Sequence, residues 1–117
     1  MKLKPISIYL NENNLIPKGL YAKSYLSRIK GLMGSENLNI DCGLLIPNCR
    51  QVHTFFMNYP IDIIFLDSNN KIIHIQTLNP WKISKWMRQA KKVLEVSKGF
   101  AKKNNLKNGD QLEVKEK

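Results

Sequence analysis

Two kinds of residue that commonly organise small proteins are scarce in this chain: cysteine and acid. Only Cys42 and Cys49 carry thiols among the 117 residues, with six residues between them. That spacing is not the close pairing of a zinc site, and two cysteines do not make a disulfide framework. Reduced thiols in a reducing compartment are the default, and a single bridge is allowed but not required. Long apolar runs are missing as well. "MKLKPISIYLNENN" starts with basic residues, but Pro5 breaks its apolar run and Asn11 and Glu12 end it, too soon for the core of a signal peptide. No run is long enough to span a bilayer. The expected location is therefore cytoplasmic, or exported if a leader has been removed. Repeats, low-complexity blocks and linkers are absent too, so residues 1–117 read as a single domain around one core.

Acid is scarce relative to base: 9 Asp and Glu face 19 Lys and Arg, a formal charge of +10. Such an excess attracts anionic partners, whether nucleic acid, a lipid surface or an acidic protein face. The chain is also rich in Lys, Asn and Ile together, and an A+T-rich genome would supply that trio whatever the function. What is present in ordinary amounts, 43% hydrophobic and 24% charged residues, fits a folded globular domain.

The apolar pattern is mostly that of strands. "ISIYL" (6–10), "CGLLIP" (42–47) and "VLEV" (93–96) are β-branched or apolar and short. "QVHTFFM" (51–57) reads as a further strand and "NYP" as a turn. "IDIIFLD" and "KIIHIQTL" form two strands joined through "SNN", whose asparagines tolerate left-handed geometry. "LKNGDQLEV" turns at Asn108-Gly109-Asp110 into a last strand, with Gly109 supplying the positive φ and Asp110 bonding the turn's own backbone. Helical spacing is confined to "KSYLSRIKGLM" (23–33), with Ser24 as N-cap, and to one turn in "GFAKKNN". "SKWMRQAKK" (84–92) fits a short helix or a basic loop. The predicted fold is α+β, mainly β: a small barrel-like antiparallel or mixed sheet with one or two short helices and the 61–78 hairpin at its centre.

"GLMG" (31–34), "CGLLIP" (42–47), "HTFFMNYPIDIIFLD" (53–67), "VLEVSKG" (93–99) and "NLKNGDQLEV" (105–114) follow one another in this order. Together they resemble the domain-of-unknown-function family 192, a group of small bacterial and archaeal proteins, over about Lys23 to Val114. The family pattern falls on Met57, Asn58, Pro60, Ile61 and Asp62, on Glu95, and on Gly109 and Asp110. Much of the family has a Trp shortly before that Met, where this chain has Phe55 and Phe56. The resemblance implies a compact β-rich fold and no agreed activity.

Four groups of residues could carry chemistry. Cys49, His53 and Met57 are soft-metal ligands for copper or zinc. On a strand, however, each step of four residues covers roughly 13 Å, and metal bonds are about 2 Å long. Asp62 and Glu95 lie among apolar neighbours, where carboxyl groups can serve as general acid and base of a hydrolase, possibly on a saccharide. No nucleophile motif accompanies them, and an Asp after "NYP" has a structural use in accepting backbone N–H groups. His53 titrates near neutrality, beside Thr54, and is the best single candidate for chemistry; a hydrogen-bonded core histidine is its plainer reading. Finally, Lys82 to Lys107 holds nine basic residues and one acid, Glu95, with Trp81 and Trp86 at its start. Aromatic faces beside cations suit an anionic partner, although tryptophans that cap a core beneath a solvated face give the same pattern.

The resulting expectation is a monomeric binding or accessory module, more readily non-enzymatic, with no cofactor. Its contact surface would contain Trp81, Lys82, Lys85, Trp86 and Arg88, near a cleft holding His53, Met57 and Asp62, with Phe55, Ile61, Ile63 and Phe65 in the core. The rivals are a hydrolase using Asp62 and Glu95, with His53 in reserve, and a metal site at Cys49, His53 and Met57.

Overall fold

The structure is a computed structural model that describes residues 3–22 and 42–117; the helix expected over 23–33 lies outside the described residues. Seven strands and one short helix are present among the described residues. They are β1 (Leu3–Leu10), β2 (Asn13–Ala22), β3 (Gly43–Pro47), β4 (Ile61–Leu66), β5 (Ile72–Leu78), β6 (Lys92–Ser97), α1 (Phe100–Lys103) and β7 (Glu113–Glu116).

β1 and β2 form a hairpin whose two-residue loop, Asn11 and Glu12, holds both φ angles positive, at 50° and 71°. That geometry matches the right-handed twist of the flanking strands. β2 was not expected as a strand, because its polar start and Pro17 obscure the alternation. Its register slips against β1 between Ile6 and Ile8, and Ser7 Oγ donates to the Pro17 carbonyl at 3.2 Å across the irregularity. A bulge is one of the few places where a strand tolerates proline.

The strand order is β5-β4-β6-β3-β2-β1-β7, with β2 and β3 parallel and every other pair antiparallel. The β4–β5 hairpin therefore lies at one end of the sheet rather than at its centre, where β6 and β3 stand. Its connection runs as read from the sequence: Asn70 takes φ 63°, and Asp67 Oδ1 accepts the N–H groups of Asn69 and Lys71 at 2.8 and 2.9 Å.

The sheet does not close into a barrel, yet its two ends are laced together. Just before β5 and β7, Lys71 bridges Gln111. Ile72 donates to Asp110 O at 2.8 Å and Leu112 to Asn70 O at 2.9 Å. Curling of this kind gives the sheet two unlike faces. One gathers side chains from all seven strands, among them Ile6, Ile16, Leu45, Ile64, Ile72, Leu94 and Val114, and is sealed by Phe100, Ala101 and Leu106. The other collects Leu44, Ile46, Ile61, Ile63, Phe65 and Val93 beneath the segments 48–60 and 79–91. β4 is consequently buried along its whole length, each large side chain contributing about 1.5–3 kcal/mol of burial free energy.

Candidate functional site

The segments 49–57 and 79–91 run beside one another as an antiparallel ribbon. Cys49 donates to Lys91 O at 3.3 Å, Met87 to Arg50 O at 2.9 Å, Ser84 to Val52 O at 2.8 Å and Thr54 to Lys82 O at 2.9 Å, while His53 bridges Ile83. Inward-pointing polar side chains secure it. Ser84 Oγ accepts Val52 N–H at 3.0 Å. Thr54, fully buried, donates its hydroxyl to Asn79 O at 2.6 Å and accepts Lys82 N–H at 3.0 Å. Its carbonyl also takes N–H groups from Met57 and Trp81 at 3.2 and 2.9 Å.

Those last two bonds correct the expected strand over 51–57. The chain stays extended as far as His53 and then turns at Thr54–Met57. An apolar run does not specify a strand unless a sheet edge is available to pair it; here the partner is a loop. The strand on which Cys49, His53 and Met57 were to be spaced ends at that turn. Phe55 is half-buried rather than core, and Met57 points into the second face of the sheet.

The turn throws aromatic side chains outward. Phe56 is 65% exposed, Trp86 60%, and Trp81 and Ile83 each 57%. His53 stacks on Phe55 with ring centroids 4.6 Å apart, Phe55 on Trp81 at 5.9 Å, and Phe56 meets Trp81 edge-on at 4.8 Å. Phe56 and Trp81 hold positive φ, 69° and 62°, a conformation that costs a bulky L-residue of order 1–3 kcal/mol. The Thr54 carbonyl is shared by the N–H groups of Trp81 and of Met57, the residue after Phe56. Lys82, Lys85 and Arg88 are exposed along the same ribbon. His53 Nδ1 accepts Phe55 N–H at 3.2 Å, and burial pushes its pKa below the usual 6.5.

The remaining expected site residues do not converge. Asp62 lies opposite Val96, whereas Glu95 lies opposite Ile63; neighbours on a strand alternate faces, so the two carboxylates project from opposite sides of the sheet. Each is buried, 3% and 0% exposed. Such a pair cannot flank one bond, and the hydrolase geometry fails. Asp62 is occupied otherwise: Oδ1 accepts the Thr77 hydroxyl at 2.7 Å, and Oδ2 accepts the N–H groups of Gly99 and Ala101 at 3.1 and 3.2 Å. It caps α1 from another strand, in place of Gly99, which has no side chain to do so. The expected acceptance of backbone N–H groups is realised, but with α1 rather than with the "NYP" corner. Met57 packs into the second face of the sheet, whereas Asp62 points to the other side, toward α1.

The soft-ligand trio is likewise separated by function. Cys49 Sγ donates to Gln51 O at 3.3 Å, His53 faces the aromatic stack, and Met57 is core. Cys42 and Cys49 are not bridged to each other. Among the described residues no group of three or more His, Cys, Asp or Glu could hold a metal, and no helix is long and apolar enough to cross a membrane.

Composition pointed to Trp81, Trp86 and the cations but missed Thr54, Phe56 and Ile83. The available hint was Phe55-Phe56, two adjacent large apolar residues that cannot both face inward on one strand. Nothing local marks Thr54, whose importance depends on a partner some 25 residues away.

A mixed, mainly β curled sheet carrying an exposed aromatic ribbon is the class of protein that fold and surface define. The model of family DUF192, "Uncharacterized ACR", matches residues 12–114. The chain belongs to this family, and the match starts at residue 12, not at 23, so it takes in β2. A UPF0127 protein of Pyrococcus furiosus is 31% identical over 96 residues, covering 80% of this chain and 83% of its own. A UPF0127 protein of Thermococcus sibiricus is 30% identical over 96 residues, 79% of this chain. This chain spans 62% of that relative's length. The crystal structure of a protein of unknown function from Novosphingobium aromaticivorans shares the fold, with a TM-score of 0.76 at 21% identity over 95% of this chain and 84% of its own.

Proposed function

We propose that this protein is a non-enzymatic binding module whose aromatic ribbon docks on an anionic lipid surface. One observation carries the reading: Phe56, Trp81, Ile83 and Trp86 are all more than half exposed on two adjoining segments, interleaved with Lys82, Lys85 and Arg88. Exposed apolar groups gathered in this way mark interaction sites rather than ordinary surface. Lipid is favoured over nucleic acid because Ile83 has no ring to stack on a base, and the faces of Phe55 and Trp81 are turned on each other. Tryptophan suits the headgroup level, and each nearby cation adds about 1 kcal/mol at an anionic surface. Phe56 and Trp81 hold a costly backbone conformation that keeps them projecting, a form of strain that clusters at binding sites.

The chain has two tryptophans and both lie on this surface, so intrinsic fluorescence reports docking directly. Vesicles containing phosphatidylserine should shift the emission to shorter wavelength at low salt and less so at high salt, with a further loss in the Ile83→Ser variant. Neutral vesicles should shift it little. A salt-sensitive response to a single-stranded oligonucleotide, with none to vesicles, would transfer the surface to nucleic acid; no response to either at low salt removes the anionic-partner reading.

A further inference from the structure

The concave side of the sheet contains a second feature that shares no residue with the ribbon. A cavity of about 410 Å³ opens between β1, β2, β3, β6 and β7, within the range of about 300–1,000 Å³ usual for small-molecule sites. Ile6, Leu45 and Val114 supply its apolar wall, and Asn70 and Lys92 reach it from the end of the β4–β5 turn and the start of β6. The Lys4 ammonium, also at the cavity, is neutralised by Glu116 at 2.7 Å, a bond that ties β1 to β7.

Lys92 is different. It is half-buried, and its Nζ donates to the neutral Asn70 Oδ1 at 2.6 Å. An ammonium has three donors, and among the described residues no carboxylate stands within ion-pair distance of it. Charges withdrawn fully from water are normally paired; Lys92 is withdrawn in part and has a neutral partner. Asn70 is itself fixed, since its own φ of 63° and its bond to Asp67 O belong to the hairpin turn. Among the described residues the cavity thus offers one uncompensated positive charge beside an apolar wall.

We propose that this cavity binds a small monoanion, a carboxylate on a short apolar body, with Lys92 holding the carboxylate and Ile6, Leu45 and Val114 contacting the body. A single negative charge matches the single unbalanced cation, and the wall lets the ligand bury carbon.

Methyl NMR of the full chain, titrated with hexanoate, tests the assignment, with hexanol (body without charge) and acetate (charge without body) as comparisons. Hexanoate should move the methyls of Ile6, Leu45 and Val114 saturably and more tightly than either comparison. Lys92→Gln should weaken it at least about tenfold, the effect of losing one charge-assisted hydrogen bond, whereas Lys92→Arg should keep most of the affinity. Val114→Glu, on an edge strand that tolerates polar residues, should repel hexanoate but not hexanol, and stands in if Lys92→Gln fails to fold. Unmoved methyls in wild-type protein, hexanol binding as tightly as hexanoate, or hexanoate binding unaltered in Lys92→Gln or in Val114→Glu would overturn the proposal.

Discussion

Asp62 offers the sharpest test of how this fold is held, because one side chain joins β4, β5 and α1. Replacing it with alanine leaves the Gly99 and Ala101 N–H groups without their acceptor, Ala101 being 6% exposed. A buried donor stripped of its partner costs about 1–3 kcal/mol; Gly99 is exposed, so water can take its N–H, and the Ala101 N–H sets the cost. The Thr77 hydroxyl adds little, since Thr77 is exposed and water can replace the carboxylate. Asparagine is milder. Its carbonyl oxygen can face both N–H groups while its amide faces Thr77 Oγ1, so only the charge is lost, at the low end of that range, about 1 kcal/mol. Against a typical stability of about 5–15 kcal/mol for a domain, the alanine variant should be measurably weakened. Urea unfolding should give the order wild type, Asp62→Asn, Asp62→Ala, with unchanged m because the surface exposed on unfolding barely differs. A cycle with Thr77→Val should give a coupling near the low end of the usual hydrogen-bond range, about 0.5–1 kcal/mol. An Asp62→Ala protein as stable as wild type, or more so, would refute the reasoning and return Asp62 to the class of residues retained for activity at a cost in stability.

Other substitutions probe the ribbon and the core. Phe56→Gly relieves the positive φ but forfeits the edge contact with Trp81; the two effects are each of order 1 kcal/mol, so thermal unfolding should barely change while vesicle docking is lost. His53 has its pKa lowered on folding by burial. Its contribution to stability is therefore complete above the unfolded value of 6.5 and is lost as pH falls through the lower folded value. Denaturant titrations across this interval should show a slope that His53→Gln flattens, and an identical slope in the variant would exclude His53 as its source. Protonation would also place a hydrogen on Nδ1, where Phe55 N–H now donates. Gly43→Ala brings a methyl to 3.0 Å from Ile16 Cδ1 and 3.2 Å from Val96 Cγ1, and overpacking of this kind should cost about 1–3 kcal/mol in a chemical melt.

Local chemistry was enough for many elements. The β4–β5 turn follows from Asp67 and Asn70, and the last turn from Gly109 at φ 99° and from Asp110, whose Oδ2 accepts Lys107 N–H at 3.1 Å. The single turn of α1, the strands β3, β4 and β6 and the family itself were all legible in short stretches. Each rests on groups within a few residues of one another, which a linear reading can weigh. β2 was not legible, because Pro17 is harmless only at a bulge that its partner β1 creates. Nor was the turn at Thr54, whose carbonyl is claimed by the Trp81 N–H.

The amino-acid sequence by itself determined which stretches are apolar, where the tight turns fall and that cation and tryptophan crowd together after Pro80. Only the tertiary structure decided what those residues do to one another. Register set Asp62 and Glu95 on opposite faces, pairing with a loop turned Phe56 outward, and the curl of the sheet brought Lys92 to a cavity beside Asn70. The reason is that side-chain direction in a β protein depends on the partner strand. That partner is a distant piece of chain, so a shift of one residue in pairing exchanges every inside position for an outside one.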